Sequence, residues 1–210
     1  MAPLATVEDL AARLGRDLTP DEQARAGALL ADASALVRRY TGQRFESPPV
    51  TETVILRARG GEVRLPQRPV LSVDAVLAVV GLAGVADVPV VGWRWDGRDL
   101  VHVDVCDDVV INLPAILDDV ENYRPRSYRV TYQHGYDEVP DDVVAVVCAA
   151  TLRTLTAPTM AGGVVAETIG GYSYRLADGT AGGVAVTLNG ADREALAPYR
   201  RRSGVTMVRM

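Results

Sequence analysis

The sequence predicts an α+β fold in which a helical core, built from both ends of the chain, carries an inserted antiparallel β domain. Helical periodicity and capping signals occur before residue 48 and return after residue 135. The stretch between them consists of short valine-rich runs separated by Gly, Pro and Asp, which is typical of antiparallel strands. We therefore expect N-terminal helices over 1–47, a β domain over 48–135, and a core helix with a C-terminal segment over 136–210.

Two helices are predicted at the N-terminal end. Thr6 is a suitable N-cap because acidic residues follow it in the first turn, and Gly15 ends this short helix. The run Thr19-Pro20-Asp21-Glu22 is a capping box with Pro at the first helical position, and the helix that it opens extends to Tyr40. Apolar residues at helical spacing predict a buried stripe on this second helix, formed by Leu29, Ala33, Leu36 and Tyr40.

The β domain is predicted from short runs rich in Val. The clearest is the hairpin at Trp93–Gly97, where alternating side chains enter an Asp-Gly turn that tolerates positive φ. The segment Gly81–Asp87 is predicted to be a loop. The expected strands are Thr51–Arg57, Gly61–Leu65, Val70–Val80, Val90–Trp95, Leu100–Val105, Val109–Asn112 and Tyr128–Gln133.

A long apolar helix is predicted after the β domain. It begins after Pro140, where the acidic pair Asp141-Asp142 complements the helix dipole. Its apolar residues occupy more than one face, so the helix must be buried nearly all round. A chain of this size rarely encloses a helix completely, and we therefore expect part of the helix to contact another subunit. The predicted subunit-interface residues are Val143, Val147, Leu152 and Leu155, with Leu36 and Tyr40 from the second helix.

The C-terminal region is predicted to end in a docking tail. Asn189 is placed to cap a short helix that runs through Leu196, and Pro198 curtails this helix. The residues that follow are expected to leave the globular body and to bind a partner in extended form. The residues assigned to this docking are Tyr199, Arg200, Arg201, Arg202, Val205, Met207 and Val208.

Composition argues against several classes of protein. Hydrophobic residues make up 48% of the 210 residues, so a core can form, and the formal net charge of −5 argues against a protein that coats DNA. Two cysteines are too few for a disulfide framework. No charged segment precedes an apolar run in the manner of a signal peptide, and no apolar run is long enough to span a bilayer. We therefore expect no membrane partner and synthesis in the cytoplasm.

No group of residues predicts catalysis, a cofactor or a metal site. Neither histidine, His102 or His134, has a nucleophile or a carboxylate at a motif spacing, so a structural role is favoured for both. The paired aspartates and paired glycines lack the spacing of known metal-binding and phosphate-binding loops. These pairs are Asp107-Asp108, Asp118-Asp119, Asp141-Asp142, Gly162-Gly163 and Gly170-Gly171. We expect a protein that is not an enzyme, and a metal-dependent hydrolase using the aspartates is the alternative from another class.

Several segments together resemble the head-to-tail connector (adaptor) proteins of tailed double-stranded DNA bacteriophages. Their order covers nearly the whole chain and makes the match persuasive, although each segment is short. The β insert between Gly81 and Asn122 is larger than in minimal members of that family. The segments that carry the resemblance are Ala5–Leu10, Leu18–Glu22, Arg39–Gly42, Leu65–Val73, Val130–Val143, Gly171–Arg175 and Tyr199–Arg201.

The resemblance implies a structural role in the virion neck. Proteins of this kind assemble as a ring, commonly twelve-fold, beneath the portal of a filled capsid. The ring extends the DNA channel and connects the capsid to the next neck protein or the tail, and genomic DNA passes through without sequence-specific binding. The resemblance also implies that the C-terminal tail docks on the portal protein. Another neck component, such as a stopper or a tail-completion protein, is the alternative within the same class.

Overall fold

The computed structural model of the protein describes residues 1–80, 86–103, 125–157 and 185–201, together with the backbone of 166–169 and 172–175. Within these ranges the chain has four α-helices and antiparallel sheets, so the predicted α+β class is confirmed. The chain divides into two compact units. The first comprises Met1–Thr41 and Pro140–Pro198, and the second comprises Gly42–Val139 and the C-terminal stretch that begins at Tyr199.

The helices of the first unit begin and end close to the predicted positions. Helix α1 spans Val7–Leu14 between a capping box formed by Thr6 with Asp9 and a C-cap at Gly15, whose φ of +74° suits glycine. The other helices are α2 (Pro20–Thr41), α3 (Asp141–Leu155) and α4 (Gly190–Ala195), and a 3₁₀ turn (Ala197–Tyr199) follows α4.

Capping bonds confirm the predicted starts of α2 and α4. The Thr19 hydroxyl accepts from the backbone N–H of Glu22 at 3.3 Å, and the Glu22 carboxylate accepts from the backbone N–H of Thr19 at 2.8 Å. Asn189 and Asp192 form the same reciprocal pair, with both distances 2.8 Å. Because a helix as short as α4 is not stable in isolation, its cap and its packing on α3 hold it in place.

The buried face of α2 is rotated relative to the predicted stripe. Leu29 and Ala33 are buried as expected, but Leu36 and Tyr40 are only partly buried. Both sets of positions have helical spacing, and the packing of α2 on α3 selects between them. The residues that recur along the buried face are Ala26, Leu30, Ala33, Val37 and Thr41.

Two antiparallel sheets form the second unit within the described residues. The larger sheet has the order β1 (Val50–Arg57), β7 (Ser127–His134), β3 (Val70–Ala78) and β4 (Val88–Pro89). The smaller sheet has the order β2 (Glu62–Arg64), β6 (Leu100–His102) and β5 (Arg94–Trp95). Strand β7 lies between β1 and β3, and every second residue along it is buried.

One hydrophobic core joins the two sheets. Valines supply much of its volume, as the low aromatic content predicts, and two tyrosines of β7 are its largest side chains. The burial of both sheets against one core explains why the strands are rich in Val. Its members include Val54, Leu56, Val63, Leu65, Val76, Val101, Tyr128, Val130 and Tyr132.

The predicted strand over 90–95 is wrong. The chain instead forms the two short strands β4 and β5, and Gly92 lies between them with a φ of +82°. The predicted hairpin turn is confirmed, because β5 pairs with β6 and Gly97 has a φ of +79°. The Asp96 carboxylate accepts from the backbone N–H groups of Arg98 at 2.7 Å and Leu100 at 3.1 Å, which closes the turn.

Two further elements complete the description. Strands β8 (Ala166–Ile169) and β9 (Tyr172–Arg175) form an antiparallel hairpin in the first unit. The predicted strand Val109–Asn112 and most of the predicted loop Gly81–Asp87 lie outside the described residues.

Candidate interaction surfaces

Helix α3 is covered on its apolar faces by helices of the same chain. Helices α1, α2 and α4 all pack on it. Val143 and Val147 have no exposed surface, and Leu155 is 6% exposed. In this conformation these three side chains cannot contact a neighbouring subunit, which corrects their assignment to the subunit interface. The assignment was wrong because three helices enclose α3 more completely than was expected of a chain of this size.

The remaining predicted interface residues have side chains that are partly exposed to solvent. Leu36, Tyr40 and Leu152 are partly exposed, and the Tyr40 hydroxyl donates to the carbonyl of Arg193 at 3.2 Å. On α3, Ala145 is exposed and Ala149 is partly exposed, so small side chains form part of the surface of this helix. A subunit contact at Leu36, Tyr40 and Leu152 stays a prediction.

An ion pair connects α3 to α4. The Asp192 carboxylate is nearly buried and pairs with the guanidinium of Arg153. Arg153 also donates to the carbonyl of Thr187 at 3.2 Å. Because Asp192 additionally accepts from the backbone N–H of Asn189, one carboxylate both caps α4 and attaches it to α3.

The segment Tyr199–Arg201 packs within the second unit. The Tyr199 ring meets Phe45 edge to face, with ring centroids 5.5 Å apart. The Arg68 guanidinium donates to the carbonyl oxygens of Tyr199 at 3.4 Å and Arg200 at 2.6 Å. The prediction that the chain leaves the globular body at Tyr199 was therefore wrong, because Pro198 signals the end of a helix but not the contacts that follow it.

Part of the predicted docking tail cannot be placed by the structure. Arg202, Val205, Met207 and Val208 lie outside the described residues. Docking of the C-terminal residues on a partner stays a prediction. Tyr199 and Arg200 already make contacts within their own unit, so a partner would have to bind them with these contacts in place or displace them.

A polar cluster lies beside the C-terminal segment, and we call it the Glu52 cluster. It consists of Arg44, Glu52, Tyr132, His134 and Arg201. The Tyr132 hydroxyl donates to Glu52 Oε1 at 2.5 Å, and His134 Nε2 lies 3.4 Å from the same oxygen. Arg44 pairs with the second carboxylate oxygen through Nη2. His134 Nε2 also lies 3.2 Å from Arg44 Nη2. One carboxylate is therefore surrounded by Tyr132, Arg44 and His134 at the end of the larger sheet.

The surroundings of Glu52 determine its protonation. Burial raises its pKa, but hydrogen bonds from His134, Tyr132 and Arg44 outweigh burial and lower the pKa to about 2. Burial, together with the hydrogen bond to Glu52, raises the pKa of Tyr132. Near neutral pH, Glu52 is therefore an acceptor and Tyr132 remains a donor. This arrangement supports a structural role for His134, as predicted, because the buried histidine packs against Tyr132 and Arg44 in the same cluster.

Sequence reasoning did not find the Glu52 cluster. The alternation in β7 places Tyr132 and His134 on one face, which was a usable signal. The pairing of β1 with β7, which sets Glu52 opposite Tyr132, is a long-range register that local patterns do not specify. Arg44 and Arg201 come from stretches that carry no motif.

In the part of the chain that the structure describes, no group of three or more His, Cys, Asp or Glu side chains is placed to hold a metal ion. Asp141 and Asp142 are exposed in the first turn of α3, where they complement the helix dipole as predicted. The other aspartate pairs and the glycine pairs lie outside the described residues.

Among the described helices, none combines the length and the apolar character that crossing a bilayer requires.

The fold corresponds to that of solved neck proteins. No protein-family model and no curated protein sequence matches the chain. Among solved structures, a chain from the neck of an empty gene transfer agent (GTA) particle, computed with C6 symmetry, is similar with a TM-score of 0.51 and 16% identity. The match covers 96% of this chain and 91% of that chain.

A second similar structure is the neck of a native GTA particle computed with C12 symmetry, with a TM-score of 0.44, 18% identity, and coverage of 96% of this chain and 95% of that chain. Gene transfer agents are derived from phages. The likeness to the first structure shows that this chain has the fold of a neck protein from a phage-like particle, and the predicted resemblance is confirmed at this level.

Proposed function

We propose that this protein is a structural component of a virion neck, a head-to-tail adaptor that forms a ring beneath the portal. The observation that carries the proposal is the likeness to a neck chain over 96% of this chain and 91% of that one. The correspondence extends through both units and agrees with the order of the adaptor-like segments along the sequence. Non-enzymatic action follows from this structural role.

The proposed ring is a homo-oligomer of twelve copies. Twelve copies at a formal charge of −5 each carry about −60. An acidic ring repels the phosphates of DNA, so the genome slides through the channel instead of binding to it. The ring thereby extends the portal channel without reading the sequence of the DNA.

The proposed partners are the portal above the ring and the next neck or tail protein below it. The C-terminal residues from Tyr199 onward supply the portal contact, and Leu36, Tyr40 and Leu152 supply part of the contact between neighbouring copies. The protein is made in the host cytoplasm and becomes part of the virion between capsid and tail.

Reconstitution with purified portal rings tests the proposal. We expect the protein to bind portal rings without any other neck protein, and cryo-EM of the complex to show a twelve-fold ring directly beneath the portal. A stopper or tail-completion protein would instead bind only after another neck component is present. Failure to bind portal rings, together with binding to such a preformed neck, would replace the adaptor assignment by one of these alternatives.

A further inference from the structure

Three arginines lie together at one end of the larger sheet, and we call them the basic end. Arg57 is the last residue of β1, Arg59 lies two residues beyond it, and Arg126 immediately precedes β7. The backbone N–H of Ala58 donates to the carbonyl of Arg126 at 3.0 Å, so Arg126 lies opposite the residue that separates the other two arginines. All three arginines are exposed, and they are neighbours in space although they are far apart in the sequence.

Within the described residues, no carboxylate neutralises the basic end, because none of its three guanidinium groups is in an ion pair there. Glu62 is bridged to Arg59 by backbone bonds, but its carboxylate lies 3.9 Å from Nδ1 of His102. By contrast, Arg129 on β7 pairs with Asp87 at 2.6 Å. The basic end is therefore an exposed positive surface on a chain whose formal net charge is −5.

Two carboxylates lie at the opposite end of the same sheet, and we call them the acidic turn. Asp137 and Glu138 follow β7, both are exposed, and neither is in an ion pair within the described residues. The turn is fixed to its own unit, since the Ser47 hydroxyl donates to the carbonyl of Asp137 at 2.8 Å and the backbone N–H of Tyr136 donates to the carbonyl of Glu46 at 2.9 Å. The eight residues of β7 separate the acidic turn from the basic end by about 24 Å.

We propose that the basic end of one copy of this chain binds the acidic turn of the next copy in the ring. The proposal rests on the proposed function, which supplies the ring, and it identifies two surfaces through which neighbouring copies join. A closed ring of identical copies needs a heterologous interface, in which two different surfaces of the chain meet. Opposite ends of one sheet satisfy this requirement, because each copy then receives one neighbour at each end.

Charge favours a second copy over other occupants of the basic end. Two copies that each carry a net charge of −5 repel one another, and a local contact between opposite charges offsets this repulsion and fixes the orientation of the copies. Guanidinium groups match carboxylates in geometry as well as in charge. The chain itself supplies such carboxylates in its acidic turn, whereas a DNA duplex that approaches this chain meets net negative charge.

Self-association of the full-length protein tests the proposal. Sedimentation velocity over a range of protein concentrations measures it at physiological ionic strength, where repulsion beyond about 8 Å is largely screened. Reversing the basic end with Arg57→Glu, Arg59→Glu and Arg126→Glu should weaken association about tenfold. Reversing the acidic turn with Asp137→Arg and Glu138→Arg should also weaken association about tenfold, although this variant is less negative than the wild type and its copies repel one another less.

A chain with all five substitutions provides the sharpest measurement. It exchanges the signs of the two surfaces and leaves their positions unchanged, so the basic surface of one copy again meets the acidic surface of the next. Association should return to within about threefold of the wild type. This recovery cannot come from the overall charge, because the chain with all five substitutions is more negative than the wild type.

Three exposed arginines outside the basic end provide the matched control. Arg25→Glu, Arg98→Glu and Arg193→Glu in one chain give the same net charge as the reversed basic end. This control should change association by less than about threefold. Urea unfolding establishes that each variant is folded, and Arg→Gln substitutions at the three positions of the basic end serve if the Arg→Glu substitutions prevent folding.

Four results would overturn the proposal. A wild-type protein that does not self-associate would lack the contact, and equal weakening by the control and by the reversed basic end would show an effect of net charge alone. Failure of the chain with all five substitutions to recover would show that the two surfaces do not meet. Normal association of the reversed basic end, combined with lost binding to a DNA duplex or to portal rings, would assign the surface to that partner.

The sedimentation assay contains no portal, so its outcome is separate from that of the adaptor assignment. Association that is lost in both reversals and recovered in their combination, without portal binding, would contradict the adaptor role alone. Portal binding by rings that are insensitive to both reversals would contradict only the contact between the basic end and the acidic turn.

Discussion

Tyr132 donates its hydroxyl hydrogen to Glu52 at 2.5 Å, and the two residues are directly opposite each other on β7 and β1. The bond ties the edge strand β1 to the strand beside it at a point where Tyr132 is buried and Glu52 is partly buried. A carboxylate in such a place is stable only while its donors are present, because its desolvation is otherwise uncompensated. The stability of the second unit should therefore depend on this pair.

A double-mutant cycle measures that dependence. Tyr132→Phe and Glu52→Gln should each lower the free energy of unfolding by roughly 2 kcal/mol, and the double variant should cost about 1–2 kcal/mol less than the sum of the two. Urea unfolding followed by circular dichroism provides the values. Thr131→Val is the control, because it removes a hydroxyl from the exposed pair with Thr53 on the same two strands and should cost less than about 0.5 kcal/mol. Additive effects of the two substitutions would show that the bond contributes no coupling.

The protonation of Glu52 predicts a specific loss of stability in acid. Its pKa in the folded protein is about 2, below the ordinary value of 4.5, so the folded state binds the proton less tightly than the unfolded state. The stabilisation is thus fully present above about pH 4.5 and is lost as pH falls through the folded value of about 2. Stability measured against pH should fall less steeply across this window in Glu52→Gln than in the wild type.

Glu22 is a control residue for the predicted loss of stability at low pH. Hydrogen bonds from Arg16 and the backbone of Thr19 lower its pKa to about 2 as well, but its partner Arg16 is exposed, so solvent screens the interaction. Glu22→Gln should therefore flatten the pH profile much less than Glu52→Gln. Equal effects of the two substitutions would show that the buried donor Tyr132 beside Glu52 does not matter for this linkage.

In the second unit, local sequence patterns predicted individual elements but not the pairing of residues that are far apart in the chain. The alternation of β7 and the Asp-Gly turn at Gly97 are local signals, and both predicted their elements correctly. The break at Gly92 was missed because Val-rich residues on both sides continued the strand pattern. The Glu52 cluster depends on pairing between residues far apart in the chain, which no local pattern encodes.

In the first unit, local signals predicted where helices begin but not which face of a helix is buried. The capping residues Thr6, Thr19 and Asn189 predicted the starts of three helices, because the signal and the bond lie within one turn. Which face of α2 is buried was less well predicted, since the choice between Leu36 and Val37 depends on the packing of α3. The assignment of Val147 to a subunit contact failed for the same reason.

Substitution in α3 tests the revised view of this helix. Val147 is completely buried inside the chain, so Val147→Asp should bury an unpaired charge and lower the free energy of unfolding by about 4 kcal/mol in the protomer itself. Ala145→Asp, on the exposed side of the same helix, should change it by less than about 0.5 kcal/mol. Chemical unfolding provides both values. A Val147→Asp variant with wild-type stability and wild-type assembly would contradict the burial of this face.

Alanine substitutions at two glycines distinguish the cost of a steric clash from the cost of a strained backbone conformation. A Cβ atom at Gly135 would lie 2.7 Å from the carbonyl oxygen of Glu46, whereas one at Gly97 would meet nothing within 4 Å. Both residues have positive φ, so both alanine variants are strained, but only Gly135→Ala adds a clash with backbone. Gly97→Ala should cost about 1 kcal/mol and Gly135→Ala roughly 3 kcal/mol or more in thermal or urea unfolding. Similar costs at the two positions would mean that the chain around Glu46 shifts readily.

The last prediction concerns the C-terminal residues and the proposed portal contact. Tyr199 and Arg200 are bound within the second unit, so a truncation that tests docking must spare them. A chain that ends after Arg201 should keep wild-type stability and bind purified portal rings at least about tenfold more weakly in a pull-down, because it lacks Val205 and Met207 together with two arginines. A chain that ends after Pro198 should in addition lose stability, since it removes the contacts with Phe45 and Arg68. Undiminished portal binding by the chain that ends after Arg201 would refute docking by the tail and leave the folded body of the protein as the portal contact.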